Sequence, residues 1–556
     1  MYSIGLDYGT NSVRCVIINT RTGQEVGTYS WIYETGEKGV MLDKKNHNLA
    51  RQNPADYIKG FEITIRKALE KAKTNDNRFT PEKVVGIGTA TTGSTPLPLD
   101  ENGTPLAMTD KFKDNPNAFA WLWKDHTAYK EAEKITKLAR DKYPQYLAKY
   151  GNVYSSEWFF SKIWHCLNVD QEVFDAAKTW IELCDFVPAV LAGKTRPSEI
   201  VRGRCAAGHK AMFSQEWGGL PTRKFFRELS PELADLRDDL FDTTSTSDQE
   251  VGKISRKWAN KLNLPKEVSI AVGAFDAHLG AVGAGVKENR LVKIIGTSTC
   301  DIIIAKEVHD DIPGICGSVD GSVVPGYIGL EAGQSAVGDI FNWFVNIINP
   351  GPDQQINHKK LTKKAEKLKP GQSGLLALDW NNGNRTILVD QRLTGLLVGQ
   401  TLHTTPEEIY RALVESTAFG ALAIINRFEE YGIEINEIVN CGGISEKNEF
   451  IMQIYADVTG REIKISKSAE TCALGAAISA AVAAGEYETF QEIQQKVCAT
   501  KNKSFKPKPE NHEVYNKLYR LYMELHDAFG KEGKKDLENL MKDLLDIKEE
   551  VRNKDV

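Results

Sequence analysis

Two stretches far apart in this chain carry the same punctuation, and that repetition limits the fold more than any other feature. Residues 2–7 read as a strand, Tyr8-Gly9-Thr10-Asn11-Ser12 as a tight turn and 13–19 as a returning strand, followed by a second turn at 20–23. Residues 291–295, the turn Gly296-Thr297-Ser298-Thr299 and residues 300–305 repeat strand, turn and strand. Each half then continues in α/β alternation, with 84–88 and 437–441 as buried strands. At 556 residues the chain exceeds what one core supports. The pattern therefore predicts two duplicated α/β domains with a cleft between them, divided near 285–289, after the glycine-rich run 280–285. That gives domains over 1–286 and 287–495. An insertion at about 113–252, rich in Trp, Tyr and charged helical stretches, is a candidate substrate wall. The Lys- and Glu-rich segment 496–556, with Leu518, Leu521 and Leu525 at helical spacing, reads as a helical tail.

Charge and cysteine usage remove several function classes. Lys and Arg number 70 against 75 Asp and Glu, for a net charge of -5, and no long basic run offers the footprint that a nucleic-acid backbone demands. The nine cysteines are scattered without a C-x-x-C pair, so they read as reduced structural residues rather than metal or redox ligands. The longest weakly polar run, 472–485, falls short of the roughly 20 apolar residues that a bilayer span requires. The first residues show no basic, apolar and small-residue succession of a signal peptide. The expectation is a cytoplasmic protein with no nucleic-acid or membrane partner.

The turns carry the chemistry. In a tight hairpin, successive backbone N–H groups can face an anion, and Gly9 and Gly296 let that anion come close. Asp7 beside the first turn could hold Mg²⁺, while an ordinary hairpin is the better explanation of a single such turn. Two copies in two related domains could grip the phosphates of a nucleotide from both sides. Asp276 follows the strand pattern 268–272 and opens a helix. It is either an oriented base for phosphoryl transfer to a hydroxyl or a helix cap. Cys441-Gly442-Gly443-Ile444-Ser445 lies between a strand and a helix. Its paired glycines could let an adenine lie against backbone, or could serve a tight turn and close packing, as could those of 472–477.

The ordered set Asp7-x-Gly9-Thr10, Asp276-Ala-His-x-Gly280, Gly296-Thr-Ser and Cys441-Gly-Gly-Ile-Ser445 resembles the FGGY carbohydrate kinases, from residue 1 to about 495. The resemblance implies two ribonuclease-H-like domains of the actin, hexokinase and Hsp70 ATPase superfamily, with ATP and Mg²⁺ as cofactors and Asp276 as catalytic base. It implies nucleotide contacts from Asp7, Gly9, Thr10, Asn11, Gly296, Thr297, Ser298, Gly442, Gly443 and Ser445, with Asp7 toward the metal. Four further strings, beginning at Thr92, Leu122, Ala207 and Glu331, are similar to the branch that phosphorylates L-ribulose at O5 in L-arabinose catabolism. That likeness implies that Lys210, Asp276 and Glu331 contact a ketopentose and that Thr92, Gly93, Ser94, Trp123 and Asp125 line its pocket. Thr89-Ala90-Thr91 departs from the Asp- or Phe-containing variant expected before that first loop. Read alone, Lys210 could be a solvated surface lysine, Glu331 a helix N-terminal acid and Trp123 plain core. Related kinases of D-ribulose, xylulose, glycerol or polyols, and a nucleotide-switch ATPase of the same superfamily, are the competing functions, and a homodimer is a family-level expectation.

Overall fold

The computed structural model describes residues 1–348, 354–531, 533 and 537–554. Its first sheet is built from β1 (Tyr2–Tyr8), β2 (Ser12–Asn19), β3 (Glu25–Ile32), β4 (Val84–Thr91), β5 (Glu250–Lys253), β6 (Ser269–Ala271) and β7 (Ala274–Phe275). They lie in the order β5-β6-β4-β1-β2-β3, with β7 also against β4. The first three strands are antiparallel neighbours, whereas β4 runs parallel to β1 and β6 parallel to β4.

The second sheet repeats this pairing. Its strands are β8 (Arg290–Ile295), β9 (Thr299–Ala305), β10 (Gly317–Asp320), β11 (Ile328–Ala332), β12 (Glu437–Cys441), β13 (Ile463–Ser466) and β14 (Thr500–Phe505), in the order β10-β11-β9-β8-β12-β13-β14. β8, β9 and β11 are antiparallel, and β12 and β13 run parallel to β8. The duplication read from two hairpins thus extends through the order and direction of five strands. The molecule is a two-domain α/β protein.

Four helices set the geometry of the cleft. α1 (Arg204–Lys210) belongs to the inserted region, which has its own aromatic core around Trp121, Tyr150, Tyr154 and Trp180. α2 (Asp276–Gly283) follows β7, and α3 (Pro406–Glu430) crosses the second domain. α4 (Thr471–Ala483) is nearly all small residues and packs on two partners. A Cβ on Gly475 would overlap the carbonyl oxygen of Leu279 in α2, and a Cβ on Gly5 of β1 would overlap that of Ala473. Backbone therefore meets backbone, and an ordinary side chain would force the elements apart. This sandwich of the first sheet, α4 and α2 joins the two halves.

The expected helical tail needs correction. Thr500–Phe505 is a strand, antiparallel to β13 at the sheet edge. Its lysines and asparagine point to solvent, as edge strands require, which disguises the strand in the sequence. α5 (Pro509–Gly530) is core rather than appendage: Tyr515 hydrogen-bonds Glu415, and Tyr522 hydrogen-bonds Asp379, each at 2.8 Å. Its buried face carries Tyr515, Tyr522 and His526, whereas Leu521 is half exposed. Residues 532, 534–536 and 555–556 of that expected tail lie outside the described residues. Among the described residues no helix is long and apolar enough to cross a membrane.

The Gly475 contact yields a direct expectation. Gly475→Val drives a branched side chain into the α2 backbone and lowers stability by about 1–3 kcal/mol, the usual cost of overpacking. A urea unfolding curve of the variant checks this through a lower midpoint at unchanged slope.

Candidate active site

The two hairpins face one cavity of about 230 Å³, lined among others by Thr10, Thr92, Gly93, Trp123, Lys210, Asp276, Thr297, Ser298 and Glu331. Nine of the residues expected from the sequence therefore converge. In the first hairpin the Gly9 amide closes the turn on Ser12 at 2.9 Å, and in the second the Gly296 amide closes on Ser298 at 2.9 Å. The next two amides of each turn, Thr10 with Asn11 and Thr297 with Ser298, make no hydrogen bond among the described residues. Successive unpaired N–H groups form an anion-binding concavity. The second turn is held from behind, because Val337 and Gly338 donate to the carbonyls of Thr297 and Gly296.

Asp276 is the first residue of α2 and lines the cavity between the hairpins. Its Oδ1 accepts the Ala277 amide at 2.7 Å. Burial, and then the negative charge of Asp7, raise its carboxyl to about 7. Asp7, at the end of β1, is raised to about 6, first by burial and against the pull of Arg14. Arg14 stands 4.0 Å from Asp7 and is committed to Glu470. Asp7 is largely shielded, and its nearest cation is engaged more closely by Glu470, so its donor chemistry fits Mg²⁺.

Lys210 ends α1 and reaches Glu331 on β11 with contacts of 3.1 and 3.2 Å. Lys210 is buried rather than solvated, and Glu331 lies within a strand rather than at a helix N-terminus. Burial opposes the charge on Glu331, but Lys210, then His278 and His209, hold its carboxyl well below the usual range. His209 Nδ1 and His278 Nε2 lie 3.6 and 3.5 Å from the same carboxylate oxygen. These three residues have the donor set of a metal centre, but the Lys210 ammonium already supplies the cation to that carboxylate. Trp123 donates from Nε1 to the Thr10 hydroxyl at 3.1 Å, tying the inserted region to the first hairpin.

The loop at Thr92 is held rigidly from beneath. Ser94 and the Thr95 amide both bond the buried Glu182, and Lys162 donates to the carbonyls of Ser94 and Leu122 at 2.8 and 2.9 Å. Burial pulls the Lys162 ammonium down to about 7. A Cβ at Gly93 would overlap the Phe275 ring, so this loop and the Asp276 segment are packed together.

Two expectations from the likeness to relatives need correction. Asp125 does not face the cavity. It is fully buried, ion-paired with Arg51, and accepts from the amides of Ala50 at 2.7 Å and Thr127 at 3.1 Å. An isolated buried carboxylate is costly, and here its partners consume it structurally. Ser94 is likewise turned inward to Glu182 and does not line the cavity.

Asp7, Gly9, Asn11 and Gly296 flank lining residues within the hairpins without lining the cavity themselves. Gly442, Gly443 and Ser445 lie outside its wall. Gly442 has φ 93°, and a Cβ there would press on Ile295, so it serves the strand-to-helix turn. Gly443 faces open space, as a surface for a flat base would. Ser445 donates to the Gly442 carbonyl at 2.7 Å. Sequence reasoning missed Glu157, Trp158, His278, Arg385 and Gln391, which also line the cavity. His278 carried a signal in its spacing from Asp276, whereas the others carried none.

The model of the FGGY carbohydrate kinase N-terminal domain matches residues 2–283, and that of the C-terminal domain matches residues 291–484. The chain belongs to the FGGY family of carbohydrate kinases. It is therefore a sugar kinase. It is 42% identical over 542 residues to a protein of Vibrio parahaemolyticus named Ribulokinase, covering 94% of this chain and 95% of that one. It is 41% identical over 564 residues to one of the same name from Shouchella clausii, covering 98% of each. Among solved structures, a xylulose kinase from Rhodospirillum rubrum superposes with a TM-score of 0.78 at 20% identity, over 95% of this chain and 99% of that one. A Plasmodium falciparum glycerol kinase with ADP gives 0.73 at 16% identity, over 94% and 97%. At those identities the structures speak for the fold.

The raised Asp276 carboxyl makes a stability prediction with a definite sign. Because its folded value near 7 exceeds the ordinary 3.8, folding favours the protonated form. That contribution is complete below about pH 4 and is lost as pH rises through about 7. Asp276→Asn should therefore be more stable than the parent at pH 8 by about 1–3 kcal/mol, with the difference vanishing by about pH 4. Unfolding midpoints across that window measure it.

Proposed function

We propose that this sugar kinase transfers the γ-phosphoryl group of Mg-ATP to O5 of L-ribulose, giving L-ribulose 5-phosphate and ADP, as a step of L-arabinose catabolism. The observation that carries the reading is the carboxyl of Asp276, poised near 7 between two hairpins with unpaired amides. The substrate rests on relatives named Ribulokinase that match nearly the whole chain at 42% and 41% identity.

Asp276 takes the proton of the O5 hydroxyl as the new O–P bond forms and the bond to the ADP leaving oxygen breaks. A general base works best when its pKa lies near the operating pH, and about 7 meets that condition. The unpaired amides of Thr10 and Asn11 on one side and Thr297 and Ser298 on the other hold phosphoryl oxygens. Fixed donors of this kind need no reorganisation as charge develops. Asp7 would hold Mg²⁺, which neutralises phosphate charge when bound. Lys210 and Glu331, locked to each other, present a donor and an acceptor to the ketose hydroxyls, with Thr92 and the Trp123 ring completing the wall. Polar groups fixed in this way reject analogues that leave them unpaired. Gly443 offers its bare face to the adenine.

A kinase of another ketopentose or polyol would use the same hairpins and base with different contacts at Lys210 and Glu331. A nucleotide-switch ATPase would have no use for Asp276. A coupled ADP-release assay with Mg-ATP against L-ribulose, D-ribulose, L- and D-xylulose, ribitol and glycerol separates them. The expected result is the highest kcat/KM with L-ribulose. Preference for another acceptor moves the substrate, and ADP release independent of any acceptor contradicts the kinase mechanism proposed.

The base assignment makes two further expectations. Asp276→Asn should lower kcat about 10²–10⁴-fold while Mg-ATP still binds. In the parent enzyme, kcat/KM should rise with pH through an ionisation near 7, because only the deprotonated carboxylate accepts the proton. An acid limb near 4 would leave Asp276 without that role.

A further inference from the structure

The cavity holds two cations of different standing. Lys210 is neutralised by Glu331, with which it shares both carboxylate oxygens. Arg385 supplies the only guanidinium among the described lining residues and forms no ion pair among the described residues. It lies in the segment after the short strand Leu376–Leu378, in the second domain.

The Arg385 side chain is fixed at one end only. Its Nη2 donates to the Thr299 carbonyl at 2.6 Å and to the Cys300 thiol at 3.3 Å. Nε is buried without a partner, and Nη1 makes no hydrogen bond among the described residues. A guanidinium carries five N–H donors in a rigid plane, so most of this one's capacity is unused. Its anchor, Thr299, immediately follows Thr297 and Ser298, whose own amides are unpaired. A guanidinium that feels Glu331 and Glu157 only through space, and pairs directly with neither among the described residues, is thus bolted to the hairpin that faces Asp276.

We infer that Arg385 is a further catalytic residue, whose guanidinium stabilises the charge on the phosphoryl group as it passes from nucleotide to acceptor hydroxyl. The inference rests on the phosphoryl-transfer reading above. Arg is suited to the task because its planar donors match phosphoryl oxygens in pairs, which a lysine cannot do. A guanidinium at a transferring phosphoryl group typically contributes about 10³–10⁵-fold to turnover.

Steady-state kinetics of the parent, Arg385→Ala and Arg385→Lys with Mg-ATP and the acceptor found in the assay above test the inference. Arg385→Ala should lose about 10³-fold or more in kcat, with both KM values within about threefold of the parent. Arg385→Lys keeps the charge without the fork, and should fall between the two. Added guanidinium ion should recover part of the turnover of Arg385→Ala and none of that of Arg385→Lys. Circular dichroism of each variant checks folding, and Arg385→Lys carries the test if the alanine variant unfolds. A near-parental kcat in Arg385→Ala overturns the inference. So does a raised acceptor KM at preserved kcat, which would make Arg385 a sugar contact. A parent enzyme with no acceptor-dependent turnover would remove the kinase mechanism itself, and this inference with it.

Discussion

The backbone-to-backbone contact between the two small-residue helices is the constraint on which the site depends. Asp276–Gly283 and Thr471–Ala483 approach so closely that Gly475 has no room for a Cβ against Leu279. The second helix presses its other side on the first sheet, where Gly5 meets Ala473. Asp276 is the first residue of one of these helices, so its position relative to both hairpins is set by this contact rather than by a loop. Catalytic groups on rigid elements hold their geometry better than groups on loops. Replacing the glycines would shift Asp276 relative to both hairpins.

The electrostatics of the cavity follow from the same burial. Burial raises both Asp276 and Asp7; the charge of Asp7 adds to the rise at Asp276, that of Glu470 adds to the rise at Asp7, and Arg14 offsets only part of the latter. Glu331 is buried as well but falls the other way, since Lys210 sits directly on it. Three carboxyl groups in and beside the cavity therefore sit in different electrostatic states, with Asp276 and Asp7 raised and Glu331 held ionised by Lys210. This separation by environment is how a single fold assigns roles to chemically similar groups.

Much of this was legible in the sequence, for identifiable reasons. The hairpins announced themselves because turn residues are local signals, and the copy near Thr297 turned a common turn into evidence of duplication. Asp276 could be placed because a strand pattern precedes it and a helix follows. Asp125 is assigned to the pocket by likeness and proves structural, because its partner Arg51 is distant in the chain and no local pattern reveals that pair. Arg385 was invisible for the same reason: its meaning comes from the Thr299 carbonyl it reaches. The strand Thr500–Phe505 was misread because a lysine-rich edge strand has the polar composition of a surface helix.

Transfer of a phosphoryl group onto a sugar hydroxyl is what defines the chemistry proposed for this chain. Phosphorus NMR of the protein with Mg-ATP and L-ribulose tests it most directly. The expected result is a phosphomonoester signal coupled to the two C5 protons of the sugar, growing in equal amount with ADP. Release of inorganic phosphate with no sugar ester would contradict it.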